Sequence, residues 1–315
     1  KLSSQSMGFI MTPNFEPQGL LMVEIRGVIT SMLTPFSEQY SLDDETLAQE
    51  LEYQIQAGVD GICILGGTGE ALSLNPNERL RVVDITVDVV KGRVPIVVGC
   101  FIPIESEIIE FANTIKDRGA SAMMLTPPAF YKHNARQFEL LLERISLQAN
   151  IPLVLFNSPS RVGVNLGAEN VIRYVNRFPN VVAVKESSGS LKEVIQMGQA
   201  FPSRCNLLQG IDDAFLPSLA SGATGGIMAF AGPMPTILVD ILSGWQNSDN
   251  QTALQRQLSI IPVMKIVARE PMPILVKEAM NVVGRPMGPT RPPLYQPSLE
   301  DKKALWKEME TLLSG

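Results

Sequence analysis

The chain alternates short apolar runs with longer amphipathic segments, and this cycle repeats about eight times over residues 24–247. The apolar runs are typical of strands that are buried on both faces, and the segments between them have the period of a helix. Strict alternation of this kind predicts parallel strands joined by crossover helices. The predicted strands are residues 28–33, 61–65, 95–99, 122–125, 153–156, 181–185, 206–209 and 226–229.

Eight such units favour an α/β fold with a closed (β/α)₈, or TIM, barrel over an open doubly wound sheet. The doubly wound alternative is weakened because no Gly-x-Gly-x-x-Gly run follows the first predicted strand. Beyond the repeats the pattern becomes helical only, interrupted by a proline-rich stretch. We therefore predict three parts: a flexible N-terminal extension at residues 1–23, the barrel at residues 24–247 and a C-terminal helical appendage at residues 248–315.

The amino-acid composition indicates which kinds of partner the protein can bind. Of 315 residues, 45% are hydrophobic and 18% are charged, with a net charge of -6 and no cluster of lysine or arginine. This balance argues against a nucleic-acid-binding surface and favours small-molecule partners. No apolar stretch approaches the roughly 18 residues that a membrane span needs, and the first residues lack the pattern of a secretory signal. We expect a cytoplasmic protein that does not bind membranes.

Metal centres and histidine-based hydrolases are not expected. The three cysteines, Cys63, Cys100 and Cys205, are far apart and lack metal-ligand spacing, and His133 is the single histidine. A Ser/His/Asp hydrolase would have to depend on that one ring. The cysteines are typical of reduced core residues.

One predicted strand ends on a lysine. The run Val-Val-Ala-Val at residues 181–184 leads directly into Lys185, which precedes Glu186. An amine at the end of a buried strand loses hydration, and this lowers its pKa because the charged form is disfavoured. A neutral amine can attack a carbonyl carbon and form a Schiff base. The alternative is a lysine that pairs with Glu186 or points into solvent.

Polar residues follow several other predicted strands, where a barrel of this kind carries its chemistry. The glycine-rich residues 66–70 can bring backbone N–H groups, with the Thr68 hydroxyl, close to a carboxylate, or they can form only a tight turn. Arg161 can bind a carboxylate through two hydrogen bonds, or it can be a solvated surface charge. Asp212 or Asp213 can cap the next helix.

Three of these segments together carry a family resemblance. Gly-Gly-Thr-Gly-Glu at residues 66–70, Asn-Ser-Pro-Ser-Arg-Val-Gly at residues 157–163 and Val-Lys-Glu-Ser-Ser-Gly at residues 184–189 resemble the dihydrodipicolinate synthase and N-acetylneuraminate lyase superfamily. The resemblance extends from Arg26 to the C-terminus in matching order. The Pro-Ser-Arg-x-Gly form is more similar to the synthase branch.

The resemblance implies a pyruvate-dependent class I aldolase on a (β/α)₈ barrel, without a metal or organic cofactor. It also implies a homotetramer or homodimer. Lys185 would form the imine with pyruvate, and Thr68, with the amides of Gly67 and Thr68, would bind the pyruvate carboxylate. Arg161 would bind the carboxylate of the second substrate. Further residues implied to line the site are Gly210 and Ile227.

Two positions depart from the family pattern. Most members of the superfamily have a tyrosine at the end of the fifth strand, where it transfers protons, and this chain has Phe156. Synthases commonly have a threonine where this chain has Gly67. Tyr131 matches the tyrosine that a neighbouring subunit supplies. We expect Tyr131, Ser188 or a water molecule to replace the missing acid–base groups, which typically contribute about 10² to 10⁴ in rate.

Three functions are compatible with these residues. The first is a dihydrodipicolinate synthase-like lyase of lysine biosynthesis, which condenses pyruvate with aspartate semialdehyde. The second is an aldolase or dehydratase for a 2-keto-3-deoxy sugar acid, because the same imine serves both reactions. The third is a catalytically impaired homologue that only binds a 2-oxo acid, an alternative favoured by Phe156 and Gly67.

Overall fold

The computed structural model of the protein describes residues 23–314 and contains a closed barrel of eight parallel strands. The strands follow one another around the barrel in chain order, and the eighth pairs with the first. The predicted fold class is therefore confirmed. The strands are β1 (Gly27–Ser31), β2 (Gly61–Ile64), β3 (Ile96–Cys100), β4 (Ala122–Leu125), β5 (Leu153–Asn157), β6 (Val181–Glu186), β7 (Asn206–Gln209) and β8 (Gly225–Met228).

Helices connect the strands and continue beyond the barrel. They are α1 (Asp44–Gln56), α2 (Pro76–Val90), α3 (Glu105–Asp117), α4 (Ala135–Gln148), α5 (Pro159–Val162), α6 (Ala168–Arg177), α7 (Leu191–Ala200), α8 (Phe215–Leu219), α9 (Pro235–Gln246), α10 (Asn250–Val267), α11 (Ile274–Val282) and α12 (Leu299–Ser314). Within residues 23–314 no helix has the length and apolar character needed to cross a membrane. Residues 1–22 of the predicted N-terminal extension lie outside the described residues.

The core consists of two apolar layers that share the strands. One layer, which lies inside the barrel, is made of side chains from the strands and includes Val154 and Phe156 of β5. The other lies between strands and helices and includes Leu153 and Leu155. Successive residues of a strand point to opposite faces, so β5 contributes to both layers in turn.

Strand β6 departs from this alternation at one point. Its register with β5 shifts between Leu153 and Val154, which leaves Val182 as an extra residue, a β-bulge. Val182 and Ala183 both belong to the inner layer, and Val184 belongs to the outer layer. The next side chain, Lys185, therefore points into the barrel. Strict alternation from Val182 would have directed it outward.

The helices after residue 247 pack back onto the barrel. Helix α10 lies against α9, and α12 packs on both α10 and α11. Lys277 of α11 forms a buried ion pair with Glu70, which lies in the loop after β2, at 2.7 Å between Nζ and Oε1. Lys277 also donates to the carbonyl of Pro289. These contacts attach the C-terminal helices to the barrel, and the division of the chain at residue 247 stays a prediction.

Candidate active site

A cavity of about 550 Å³ opens where the strands end and the following loops begin. Residues from seven of these loops and from the C-terminal region line the cavity. The lining residues used below are Gly67, Thr68, Glu70, Phe156, Ser158, Arg161, Lys185, Ser187, Gly210, Asp212 and Ile227. The structure therefore brings together every site residue predicted from the sequence except Tyr131 and Ser188. Their chemical roles stay predictions.

Lys185 lies at the base of this cavity and is 7% exposed. Burial lowers the pKa of its ammonium group, and the positive charge of Arg161 lowers it further, whereas Asp212 acts in the opposite direction. Burial also raises the pKa of the Cys63 thiol to about 11, so this neighbour is neutral near pH 7 and supplies no counter-charge. The Nζ atom lies 4.6 Å from the centroid of the Phe156 ring. The face of that ring attracts a cation, but loss of hydration has the largest effect on the pKa, and the site favours a neutral, nucleophilic amine.

Gly210 leaves room for the lysine. A Cβ at this position would lie 2.0 Å from the Oγ of Ser187 and 2.7 Å from the Cε of Lys185. Contacts under 3.0 Å do not occur for real Cβ atoms. A glycine is therefore required for these two side chains to occupy the cavity as they do.

Arg161 approaches the same cavity from α5. The residue is exposed along part of its length, but its guanidinium reaches inward, where loss of hydration lowers its pKa. Its Nη1 lies 3.2 Å from the position that a Cβ at Gly67 would take, so the missing side chain at Gly67 opens space for it. Thr68, 6% exposed, follows Gly67 in this wall. An arginine beside a threonine and glycine amides can bind a carboxylate.

Asp212 is a site residue whose place the sequence did not reveal. Its side chain does not cap the following helix, as one interpretation expected, but accepts a hydrogen bond from the backbone N–H of Phe230 at 2.9 Å. Burial raises the pKa of its carboxyl group to about 6, although the Phe230 N–H and Lys185 lower it. Its position two residues after Gly210, beside a strand end, was the only signal in the sequence.

Two serine hydroxyls in the cavity were also missed. The Oγ atoms of Ser158 and Ser187 are buried and have no hydrogen-bond partner among the described residues. Ser188, which we expected to face the site, instead accepts a hydrogen bond from the N–H of Ser190 at 3.1 Å. The hydroxyl in the cavity is therefore that of Ser187, one residue before the predicted serine.

Tyr131 does not line the cavity of its own chain. It is 73% exposed in the loop after β4 and stacks edge-on against Phe130, with 5.3 Å between the ring centroids. A tyrosine so far out cannot transfer protons to Lys185 within the same subunit. Its matching to the neighbour's tyrosine stays a prediction.

Within the part of the chain that is described, no three histidine, cysteine or carboxylate side chains lie together as metal ligands would. The site residues are instead an amine, an arginine, hydroxyls and one buried carboxylate. This set can bind and hold small carboxylates beside a nucleophilic nitrogen.

The model of the dihydrodipicolinate synthetase family matches residues 24–312. This chain belongs to the dihydrodipicolinate synthetase family. It is 31% identical over 290 residues to the 4-hydroxy-tetrahydrodipicolinate synthase of Methanopyrus kandleri. This alignment covers 92% of this chain and 97% of that protein. The synthase of Methanothrix thermoacetophila is 33% identical over the same shares of the two chains.

Solved structures of the dihydrodipicolinate synthetase family have the same architecture. The dihydrodipicolinate synthase of Thermotoga maritima superimposes with a TM-score of 0.88 at 26% identity, covering 93% of this chain and 99% of the other. The match includes the C-terminal helices as well as the barrel, because it extends over nearly the whole of both chains.

Proposed function

We propose that the chain is a Schiff-base lyase that condenses pyruvate with aspartate semialdehyde, as a 4-hydroxy-tetrahydrodipicolinate synthase does. The observation that carries this proposal is the Lys185 amine, which is buried in a cavity lined also by Arg161 and Thr68 and lacks an ion pair among the described residues. The curated relatives bear the name of this activity. No organic cofactor or metal takes part in the proposed reaction.

The proposed reaction begins when the neutral amine of Lys185 attacks the ketone carbon of pyruvate. The ketone oxygen leaves as water, and the resulting iminium attracts electrons from the neighbouring methyl carbon. Loss of a proton from that carbon gives an enamine, whose carbon then forms a bond with the aldehyde carbon of the second substrate. The Phe156 ring lies beside the nitrogen and favours the positively charged iminium, because cations are attracted to the face of an aromatic ring.

The two carboxylates of the substrates would occupy neighbouring parts of the cavity, because the Nη1 of Arg161 lies 3.2 Å from the position of a Cβ at Gly67. Thr68 and the Gly67 and Thr68 amides would bind that of pyruvate, and Arg161 would bind that of aspartate semialdehyde. Gly210 and Ile227 line the wall beside Lys185. A cavity of about 550 Å³ lies in the range of small-molecule sites and has room for both substrates at once.

A second candidate is cleavage of a 2-keto-3-deoxy sugar acid through the same imine. One feature favours it: the hydroxyls of Ser158 and Ser187, which have no partner among the described residues and can bind substrate hydroxyl groups. A small aldehyde and pyruvate would be the products. Measuring condensation with aspartate semialdehyde against pyruvate release from keto-deoxy acids separates the two candidates.

The protein is proposed to work in the cytoplasm as a homotetramer or homodimer. Phe130 and Tyr131 support this, because two large aromatic side chains, 89% and 73% exposed, lie next to each other at the rim of the barrel. Light scattering coupled to gel filtration tests the assembly. A monomer at micromolar concentration would contradict this part of the proposal.

Borohydride reduction in the presence of pyruvate tests the proposed function. We expect mass spectrometry to find a reduced pyruvate adduct on the peptide that contains Lys185. The Lys185→Met variant should carry no adduct, whereas the matched control Lys192→Met, which removes an exposed lysine nearby, should be labelled like the unmodified protein. An unlabelled Lys185 peptide in the wild-type protein would overturn the proposal.

A further inference from the structure

Two of the acid–base groups that the family places beside the lysine are missing in this chain, at the positions of Phe156 and Gly67, so another group must move protons there. The ring of Phe156 covers one side of the Lys185 amine and carries no exchangeable proton. Gly67 has no side chain, and Tyr131 lies outside the cavity. Attack by an amine on a ketone nevertheless requires a proton to leave the nitrogen and another to reach the oxygen.

Ser187 is the hydroxyl that the fold places next to the amine. It lies two residues after Lys185 and directly after the end of β6, and both side chains line the cavity. Its Oγ and the Cε of Lys185 both lie within 2.7 Å of one point, the position that a Cβ of Gly210 would occupy. Because Cε carries the amine, the hydroxyl and the nucleophile are close neighbours.

The Ser187 hydroxyl is not used in the fold of the described residues. Its oxygen is buried and has no hydrogen-bond partner among residues 23–314. A buried hydroxyl without a partner costs about 1–3 kcal/mol of stability, so such a group is expected to find its partner in a bound ligand. Ser188, one residue later, provides the contrast, because its hydroxyl accepts the Ser190 N–H within the loop.

We propose that the Ser187 hydroxyl transfers the proton from nitrogen to oxygen when Lys185 attacks the keto acid. This inference depends on the proposed function, since it needs the imine. Attack leaves a positive nitrogen and an alkoxide. Ser187 donates its hydroxyl proton to the alkoxide, and its oxygen accepts a proton from the nitrogen. The serine is regenerated, the carbinolamine is neutral, and no further base, oxidant or cofactor is needed.

The assignment is specific to Ser187. Ser158 also has a buried hydroxyl without a partner among the described residues, but Ser187 is the one whose Oγ lies with Lys185 Cε beside Gly210. A hydroxyl that relays protons acts as an acid and a base at once, and such groups typically contribute about 10² to 10⁴ in rate. The hydroxyl would therefore be a catalytic residue of this chain.

The test is the rate of imine formation, measured by rapid mixing with pyruvate, borohydride quench and mass spectrometry of the intact protein. We expect Ser187→Ala to slow this rate about 10²-fold while the pyruvate concentration at half-maximal labelling stays unchanged. Ser187→Thr, which keeps a hydroxyl, should recover most of the rate. The matched control Ser188→Ala should remain within about twofold of the wild-type rate, because its hydroxyl lies outside the cavity.

The possible results separate the two proposals. Absence of any adduct in the wild-type protein refutes the proposed function itself. If Ser187→Ala forms the imine as fast as the wild-type protein, the relay alone is refuted. The relay is also refuted if only Ser158→Ala forms the imine more slowly. A loss in Ser187→Ala that Ser187→Thr does not recover, or that comes with weaker pyruvate binding, also refutes it, because the side chain would then only shape the cavity.

Discussion

Replacing Gly210 by alanine should displace the reactive amine with little effect on the fold. The added Cβ would lie 2.7 Å from the Cε of Lys185 and 2.0 Å from the Oγ of Ser187. Carbon atoms in contact stand about 3.5–4.0 Å apart, so Cε must move by about 1 Å. A displacement of that size in a reacting group can cost about 10²-fold in rate, which corresponds to about 2.7 kcal/mol in the activation barrier.

The assay for Gly210→Ala is the rate of borohydride-trapped pyruvate labelling at Lys185, with urea unfolding of the same sample. Both contacts are to side chains that can rotate, so we expect the free energy of unfolding to fall by no more than about 1–3 kcal/mol. Labelling at the wild-type rate would refute the argument, because the amine would then not depend on the space at Gly210. A global loss of structure would refute it as well, since the clash would be with the fold rather than with the lysine.

Three further predictions address other parts of the site. Phe156→Tyr restores a phenol beside Lys185 and should raise turnover by about 10-fold or more in a steady-state assay, and an unchanged rate would mean that the missing phenol is not limiting. The pKa of Asp212 is raised from 3.8 to about 6, so the folded state holds this proton more tightly, and about 2 kcal/mol of stability should be lost as pH rises from 4 to 6. Asp212→Asn should remove that pH dependence in urea unfolding and the exposed control Asp213→Asn should keep it, whereas parallel curves for wild type and Asp212→Asn would contradict the prediction. Lys277→Met leaves the Glu70 carboxylate buried without its cation and should lower the free energy of unfolding by about 3–5 kcal/mol, a result that a wild-type urea midpoint would exclude.

Much of the fold could be predicted because the strand signal is strong. The predicted bounds of two strands, at residues 122–125 and 206–209, agree with the structure at both ends, and the other six differ by at most two residues. Fully apolar runs bounded by glycine or a polar residue leave little ambiguity about where a buried parallel strand lies. The loops after the strands were then placed at one end of the barrel by topology alone.

The direction of individual side chains could not be predicted in the same way. Ser187 and Ser188 are identical in type and adjacent in sequence, yet only Ser187 lines the cavity. Asp212 follows β7 and accepts a hydrogen bond from the backbone of Phe230, which follows β8. No pattern in the sequence predicts this contact. Tyr131 was predicted to transfer protons in the site, but it is exposed on a loop. The sequence of a loop has no periodic pattern from which the position of a side chain can be predicted.

The extra residue in β6 decides whether the Lys185 side chain points into the barrel or toward the helices, because side chains alternate along a strand. Val182 and Ala183 share one face, so the count from the start of the strand to Lys185 brings the amine inward. Removing one of these two residues would reverse that parity and turn the amine toward the helices, although every chemical group of the site would still be encoded. A substitution in β6 changes how well the barrel packs. Deletion of one residue would instead move the nucleophile from the inside of the barrel to the layer between strands and helices.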